Sequence, residues 1–212
     1  MFLRVAAAVS GRGSNLAALL HALGDGAPAQ VVLVLSNRAG AGGVELARSH
    51  GIPVHLLNDT ADAAEWCGVL EAARVDLLVL AGYLKQVPEP VVRAWRGRII
   101  NVHPALLPRH GGRGMYGRRV HEAVLASGDT TSGATVHLVS EEYDQGEILA
   151  QGTVPVLPED TPDTLAARVL AVEHNLLPAT VLAMARAGLP ERIRPEASGM
   201  SVPHPHTPTP KP

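Results

Sequence analysis

Short apolar runs alternate with longer segments of helix-like spacing along the first half of this chain. The apolar runs cover residues 3–9, 31–35, 54–57, 77–81 and 99–102, and the intervening segments cover 15–23, 43–49, 61–73 and 88–95. Continuous apolarity in a short run is typical of a strand that is buried on both faces by helices. The alternation predicts an open, doubly wound α/β fold, with a mostly parallel sheet and helices on both faces.

The pattern changes after residue 117. It predicts a helix over 118–126, two β-rich runs over 134–139 and 148–156, and a long helix over 162–187. The last residues are rich in Pro, Ser, Thr and His, with almost nothing to bury. We therefore predict one domain over residues 1–190 and a Pro-rich, disordered tail over 191–212.

Composition narrows the function classes. Aromatic residues are only 3% of the 212 residues, so the core must be built from Ala, Val and Leu. The formal net charge of -2 gives no general attraction for nucleic acid or an anionic membrane. Cys67 is the single cysteine, which excludes an internal disulfide framework and a thiolate metal cluster. We see no apolar stretch that approaches a membrane span. These features indicate a cytoplasmic enzyme or binding protein.

A glycine-rich turn, SGRGSNL at residues 10–16, follows the first predicted strand. The third glycine of a dinucleotide-binding fingerprint would fall at Leu16, and Ser36-Asn37 lacks the acidic residue expected after the second strand, so NAD binding is not predicted. Two interpretations stay open. Backbone N–H groups at the helix N-terminus bind a phosphate, which we favour, or the glycines form a tight turn and Ser14 or Asn15 caps the helix.

The most informative polar residues lie at the end of the fifth predicted strand, in the segment NVHP. Asn101 and His103 are two residues apart on a strand, so both side chains point to the same side. Ligands of open α/β sheets bind at the carboxyl ends of strands, where this pair must lie. An amide that stabilises an oxyanion beside an imidazole that moves a proton is suited to acyl chemistry.

Three further residues downstream are candidates for the same site. Thr135 and His137 alternate on another predicted strand, and Asp144 follows on a turn. We expect the Asp144 carboxylate to reach His103 and to raise the pKa of its imidazole by favouring the charged form.

Several motifs together resemble a known family. SGRGSNL, LAGYL, NVHPALLP, SGATVHLV, YDQGEIL and VEHNLLP follow one another in the order of the phosphoribosylglycinamide formyltransferases, of the folate-dependent formyltransferase superfamily. The resemblance covers about residues 3–188 and implies the formyltransferase fold with a Rossmann-like N-terminal half. It also implies transfer of a formyl group from 10-formyltetrahydrofolate, as co-substrate, to the amine of glycinamide ribonucleotide (GAR) in purine biosynthesis, with no metal.

The resemblance assigns roles to positions of this chain. It implies that Asn101, His103 and Asp144 are catalytic, with Thr135 and His137 in support. It places the ribonucleotide on Gly13, Ser14, Asn15 and Glu173. It places the folate on Gly82, Leu84, Lys85, Gln86, Val87, Asn101 and Asp144. Many members have arginine where this chain has Lys85. The small substrates are then the expected partners, with neither nucleic acid nor a membrane, and a homodimer is an open alternative to a monomer.

Three alternative functions remain. A formyltetrahydrofolate hydrolase normally has an N-terminal regulatory domain, whereas this chain begins at its first predicted strand. A methionyl-tRNA formyltransferase normally has a C-terminal domain and a basic surface. The third alternative is a catalytically silent folate- or nucleotide-binding module.

The segment 109–119 is locally basic. Its pattern predicts either a clamp over anionic substrates or a solvated loop. The five basic residues are Arg109, His110, Arg113, Arg118 and Arg119.

Overall fold

The computed structural model describes residues 2–189, and the predicted tail over 191–212 lies outside them. Within this range the strands are β1 (Leu3–Val9), β2 (Ala29–Ser36), β3 (Val54–Leu56), β4 (Leu77–Leu80), β5 (Ile99–His103), β6 (Thr131–Leu138) and β7 (Ile148–Pro155). The helices are α1 (Ser14–Ala22), α2 (Gly42–Ser49), α3 (Ala63–Ala72), α4 (Glu89–Ala94), α5 (Arg118–Ala126) and α6 (Pro162–Ala187).

The strands form one sheet in the order β3-β2-β1-β4-β5-β6-β7. β1 to β5 are parallel, and β6 and β7 extend the sheet as an antiparallel pair next to β5. The order of the first five strands reverses between β1 and β4, as in a Rossmann-like half. The predicted doubly wound, mostly parallel fold is confirmed.

The core lies on both faces of the sheet, because successive side chains of each central strand point in opposite directions. Val5 and Ala7 of β1 pack on one face with helices α1 and α6, whereas Ala6 and Ala8 pack on the other face with α3 and α4. Ala, Val and Leu dominate both clusters, as predicted. Trp66 and Trp95 fill the second face and are fully buried.

The last helix, α6, spans Pro162–Ala187 as predicted and begins with a capping box formed by Thr161 and Thr164. By length and composition alone it is apolar enough to cross a membrane, which we did not anticipate from the sequence. In the fold it packs against β6, β7, α1 and α5. This contact accounts for its apolar face within the domain.

The predicted boundaries of the other elements differ by one to three residues at most ends. β6 begins at Thr131, earlier than the predicted residue 134. Helix α3 begins at Ala63, two residues after the predicted start, because Asp62 is its N-cap and accepts hydrogen bonds from the N–H groups of Ala64 and Glu65.

Candidate active site

A cavity of about 680 Å³ opens at the carboxyl ends of β1, β4 and β5. This is the point where the strand order reverses, the usual ligand site of such sheets. Of the residues predicted for the site, all except Thr135 line this cavity. The segments predicted to bind the two substrates therefore face one common space.

Ser10, for which the sequence predicted no role, connects two of the cavity-lining loops. Its backbone N–H donates to the Gly82 carbonyl at 3.1 Å. Its hydroxyl accepts from the Leu84 N–H at 2.9 Å and donates to Asn37. The turn after β1 and the loop after β4 are thus fixed relative to each other. Only the adjacency of β1 and β4 in the sheet reveals this role.

His103 ends β5 and is 3% exposed. The turn between β6 and β7 brings Asp144 to it, with Oδ2 at 3.5 Å from His103 Nδ1. On the other side of the ring, Nε2 lies 2.8 Å from the backbone carbonyl oxygen of His110. A carbonyl oxygen only accepts, so Nε2–H is the donor, and Nδ1 is the basic atom beside Asp144 when the ring is neutral.

Asp144 raises the pKa of the His103 imidazole, as we expected, but the net shift of that pKa is downward. Burial lowers the pKa of the imidazole, and the opposing attraction of Asp144 together with the His110 carbonyl does not offset that effect. The resting side chain therefore favours the neutral form, which can take up a proton, over the imidazolium that we expected.

Asp144 itself is held in the ionised form. Burial raises the pKa of Asp144, but the His137 ring, whose Nε2 lies 3.5 Å from Oδ1, attraction to the His103 ring and the backbone N–H of Gly112 together lower it by more, so the pKa of Asp144 is below its ordinary value. The Gly112 N–H donates to Oδ2 at 2.9 Å. The loop after β5 therefore fixes both His103 and its carboxylate partner.

His137 orients the amide of Asn101. The His137 Nδ1–H donates to the Leu138 carbonyl at 2.9 Å, which leaves Nε2 to accept from Asn101 Nδ2 at 3.2 Å. One amide N–H of Asn101 is thereby committed and its second N–H is available. Asn101 and His137 are directly paired across the β5–β6 ladder, which explains why they meet.

Thr135 has a different environment from the one we predicted. Its hydroxyl donates to the Ala105 carbonyl at 2.7 Å and accepts from the Leu107 N–H at 3.0 Å. Gln151 contacts the same hydroxyl and the Leu107 carbonyl. The side chain is fully buried behind the chain segment that leaves His103, so it supports this segment and does not line the cavity.

The glycine turn differs from the interpretation in which Ser14 or Asn15 caps the helix. Gly13 is the N-cap of α1, with φ +82°, and no side chain caps the helix, so neither Ser14 nor Asn15 has that role. The first N–H groups of α1 have no side-chain cap, and residues 11–15 line the cavity. A helix N-terminus of this kind attracts an anion.

Asn15 and Glu173 meet at one end of the cavity although they are far apart in sequence. Asn15 Nδ2 donates to Glu173 Oε2 at 2.7 Å, and each side chain is 7% exposed. Burial raises the pKa of Glu173 to about 7, against the opposing effect of the Asn15 hydrogen bond. Asn15 Oδ1 is buried without a hydrogen-bond partner, which leaves an acceptor for a ligand.

The mouth of the cavity is partly apolar. Leu84 and Tyr143 are 53% and 42% exposed, and the Tyr143 hydroxyl donates to Gln86 at 3.1 Å. An exposed apolar rim of this kind suits a flat, partly apolar ligand.

The basic loop divides into two parts. Arg109 and His110 turn away from the cavity and both contact Asp129 at 2.7 Å. Arg118 lines the cavity but is paired with Glu122 and Asp163. Arg119 lies over the Tyr116 ring, 5.7 Å from its centre. Arg109 and His110 therefore cannot be part of a clamp that faces the substrate.

One further histidine lines the cavity. His121 of α5 is 4% exposed, and its Nδ1 has no hydrogen-bond partner. From the sequence it was one of several scattered histidines, and only the position of α5 places it here. Among residues 2–189, no group of three or more His, Cys, Asp or Glu side chains is arranged to hold a metal ion.

Comparison with known proteins agrees with this site. The formyl transferase family matches residues 3–181. The chloroplastic phosphoribosylglycinamide formyltransferase of Arabidopsis thaliana is 48% identical over 181 residues, which cover 82% of this chain and 62% of that protein. The phosphoribosylglycinamide formyltransferase of Haemophilus influenzae is 35% identical over 84% of this chain and 85% of its own length.

A solved structure gives the same result. The phosphoribosylglycinamide formyltransferase of Anaplasma phagocytophilum superposes with a TM-score of 0.82 at 39% identity, covering 88% of this chain and 89% of that one. The chain therefore belongs to the formyl transferase family. Within that family it belongs with the phosphoribosylglycinamide formyltransferases, as the motifs indicated.

Proposed function

We propose that this chain transfers a formyl group from 10-formyltetrahydrofolate to the amine of GAR, in purine biosynthesis. The observation that carries the proposal is the position of Asn101, His103 and Asp144 in one cavity, which the two predicted substrate segments also line. The names of the relatives support formyl transfer to phosphoribosylglycinamide.

The ribonucleotide is proposed to bind along Gly13, Ser14, Asn15 and Glu173. The uncapped N-terminus of α1 would hold the phosphate, because its free N–H groups and the helix dipole favour an anion. The hydrogen-bonded pair of Asn15 and Glu173 offers acceptors for sugar hydroxyl groups.

The folate is proposed to bind against the loop after β4, on Gly82, Leu84, Lys85, Gln86 and Val87, and to reach Asn101 and Asp144. Support comes from the apolar rim at Leu84 and Tyr143 and from the open cavity between that rim and His103. This arrangement would direct the two substrates toward each other at the catalytic residues.

The chemistry is a direct transfer. The GAR amine attacks the formyl carbon, a C–N bond forms, and the carbonyl oxygen becomes an oxyanion. The free N–H of Asn101 stabilises this charge. Neutral His103 takes the amine proton at Nδ1, and Asp144 stabilises the imidazolium that results. The bond from the formyl carbon to N10 of the folate then breaks, and N10 receives the proton.

The proposal includes a cytoplasmic location. It includes no metal, since the residues named supply every proton and charge that the reaction requires. The partners are the two small substrates, without nucleic acid or a membrane. Sedimentation of the purified chain will distinguish a monomer from a homodimer.

The test is a spectrophotometric assay of folate release from a 10-formyl folate donor, with and without GAR. Release that requires GAR supports the transferase. Release without GAR supports a formyltetrahydrofolate hydrolase, and binding of both ligands without release supports a silent binding module. Either of the last two results rejects the proposal.

A further inference from the structure

We propose that His110 is a positioning residue for the reaction, and that its hydrogen bond with Asp129 holds the backbone carbonyl that fixes the His103 ring. This inference rests on the proposed function, because it concerns the residue that moves the proton. His110 does not line the main cavity, so no direct role toward substrate is involved.

The first observation is the contact between the His110 carbonyl and His103 Nε2, at 2.8 Å. The contact partner is a backbone atom on a loop, and a loop is free to move unless its side chains hold it. His110 also has φ +56°, a left-handed conformation that a residue with a side chain seldom adopts. Surrounding contacts must keep the chain in that conformation.

Those contacts come from the side chain of His110. Its Nε2 lies 2.7 Å from Asp129 Oδ2, and both side chains are 14% exposed. A second cavity, of about 230 Å³, lies behind the loop and is bordered by His110, Asp129 and Ser132. Hydrogen bonding from His110 is the main reason why the pKa of Asp129 is lowered. The pair therefore anchors the loop from the side opposite to the active site.

The consequence concerns which ring nitrogen of His103 carries the proton. With the carbonyl in place, Nε2–H is fixed and Nδ1 is basic and faces Asp144. Without it, the neutral ring gains by placing its proton on Nδ1, where the Asp144 carboxylate accepts it. In that tautomer Nδ1 is no longer basic, and His103 does not take up the amine proton at that atom.

The experiment compares three variants with the wild type. His110→Ala removes the anchor, Asp129→Ala removes its partner without changing the loop, and His110→Gln restores a donor toward Asp129. Arg109→Ala is the matched control, because Arg109 contacts the same carboxylate but has a 65% exposed side chain and does not line the active-site cavity. For each protein, steady-state kinetics are combined with ¹⁵N NMR of the His103 ring.

We expect His110→Ala and Asp129→Ala to lower kcat by up to about 100-fold, as misplacement of a catalytic group does, with little change in either KM. The ¹⁵N spectrum should show His103 protonated at Nε2 in the wild type and shifted toward Nδ1 in both variants. His110→Gln should recover part of kcat, and Arg109→Ala should behave as the wild type.

Two outcomes overturn the inference. In an active wild type, an unchanged His103 spectrum in both variants shows that the anchor does not set the tautomer. Equal losses in Arg109→Ala and His110→Ala show a general effect on the loop. An inactive wild type whose His103 still shifts in the variants rejects the proposed function but retains the anchor, so the two failures are distinguishable.

Discussion

Asn101 has one amide N–H committed to His137 and a second one free, so its orientation is set before substrate binds. Such a donor stabilises charge that exists only in the transition state. We expect Asn101→Ala to lower kcat by about 10²–10³-fold, or about 2.7–4 kcal/mol, with a small change in KM. Steady-state kinetics with both substrates measure this.

The matched control is Asn175→Ala, because Asn175 is exposed on α6 and donates only to the Ala171 carbonyl one turn earlier. It should keep the wild-type kcat. A wild-type kcat in Asn101→Ala would exclude Asn101 from oxyanion stabilisation.

Glu173 predicts a pH dependence of stability, because burial raises its pKa from 4.5 to about 7. Between these values the folded chain holds a proton that the unfolded chain releases. The contribution of Glu173 to stability is therefore complete below the unfolded pKa and is lost as the pH rises through about 7. We expect Glu173→Gln, which is always neutral, to gain stability relative to the wild type between about pH 5 and about pH 8.

Urea unfolding at several pH values measures this difference. Glu122→Gln is the control, since it makes the same substitution at a side chain that is 50% exposed on α5. A Glu173→Gln curve parallel to that of the wild type would show that Glu173 ionises normally in the fold.

At the scale of elements, the start of α1 depends on close contact between two glycines. A Cβ on Gly13 would lie 2.5 Å from the Gly43 Cα, and Gly13 has φ +82°, whereas a Cβ on Gly11 would meet nothing within 4 Å. The backbone at Gly13 or at Gly43 cannot shift to relieve this contact unless α1 or α2 also moves. We expect Gly13→Ala to destabilise the fold by about 1–3 kcal/mol and to raise the KM for GAR.

Gly11→Ala is the matched control. It causes the same change in the entropy of the unfolded chain two residues earlier in the same turn, without a steric conflict. Thermal unfolding and GAR kinetics of both variants decide the matter. Equal stability of the two would mean that the contact between α1 and α2 does not constrain the turn.

Elements with strong local signals could be predicted from the sequence. β1 is apolar except for Arg4, β4 is a continuous apolar run, and α6 is a long segment with a helix-like pattern, so their positions were predicted within one residue. Asn101 and His103 could be found because a strand places alternate side chains together.

Other features depend on contacts between distant segments. The His110 carbonyl reaches His103 only because the loop turns back. Every residue has a backbone carbonyl, so the residue type does not indicate this contact. The direction of the His103 pKa shift depends on how much burial outweighs Asp144, which residue spacing does not report. Ser10 acts through the adjacency of β1 and β4, which only the sheet order reveals.

At the scale of the whole molecule, the cavity joins the parallel half of the sheet to the antiparallel pair and α6. The proposed GAR site combines Asn15 of α1 with Glu173 of α6, whereas the proposed folate site lies on the loop after β4. Each ligand should therefore stabilise the fold through a different set of residues. A ligand at 100 times its Kd adds about 2.7 kcal/mol, which raises Tm by roughly 5–10 °C for a chain of this size.

We expect Asn15→Ala to reduce the rise in Tm caused by GAR and to retain the rise caused by a folate analogue. Leu84→Ala should do the reverse, because Leu84 lines the cavity from the loop after β4 and is 53% exposed. Each variant serves as the control for the other, and each shift is measured by thermal unfolding from the variant's own Tm without ligand. If either substitution reduces both shifts equally, the two substrates do not occupy separate parts of the cavity, and the arrangement proposed for the transfer is wrong.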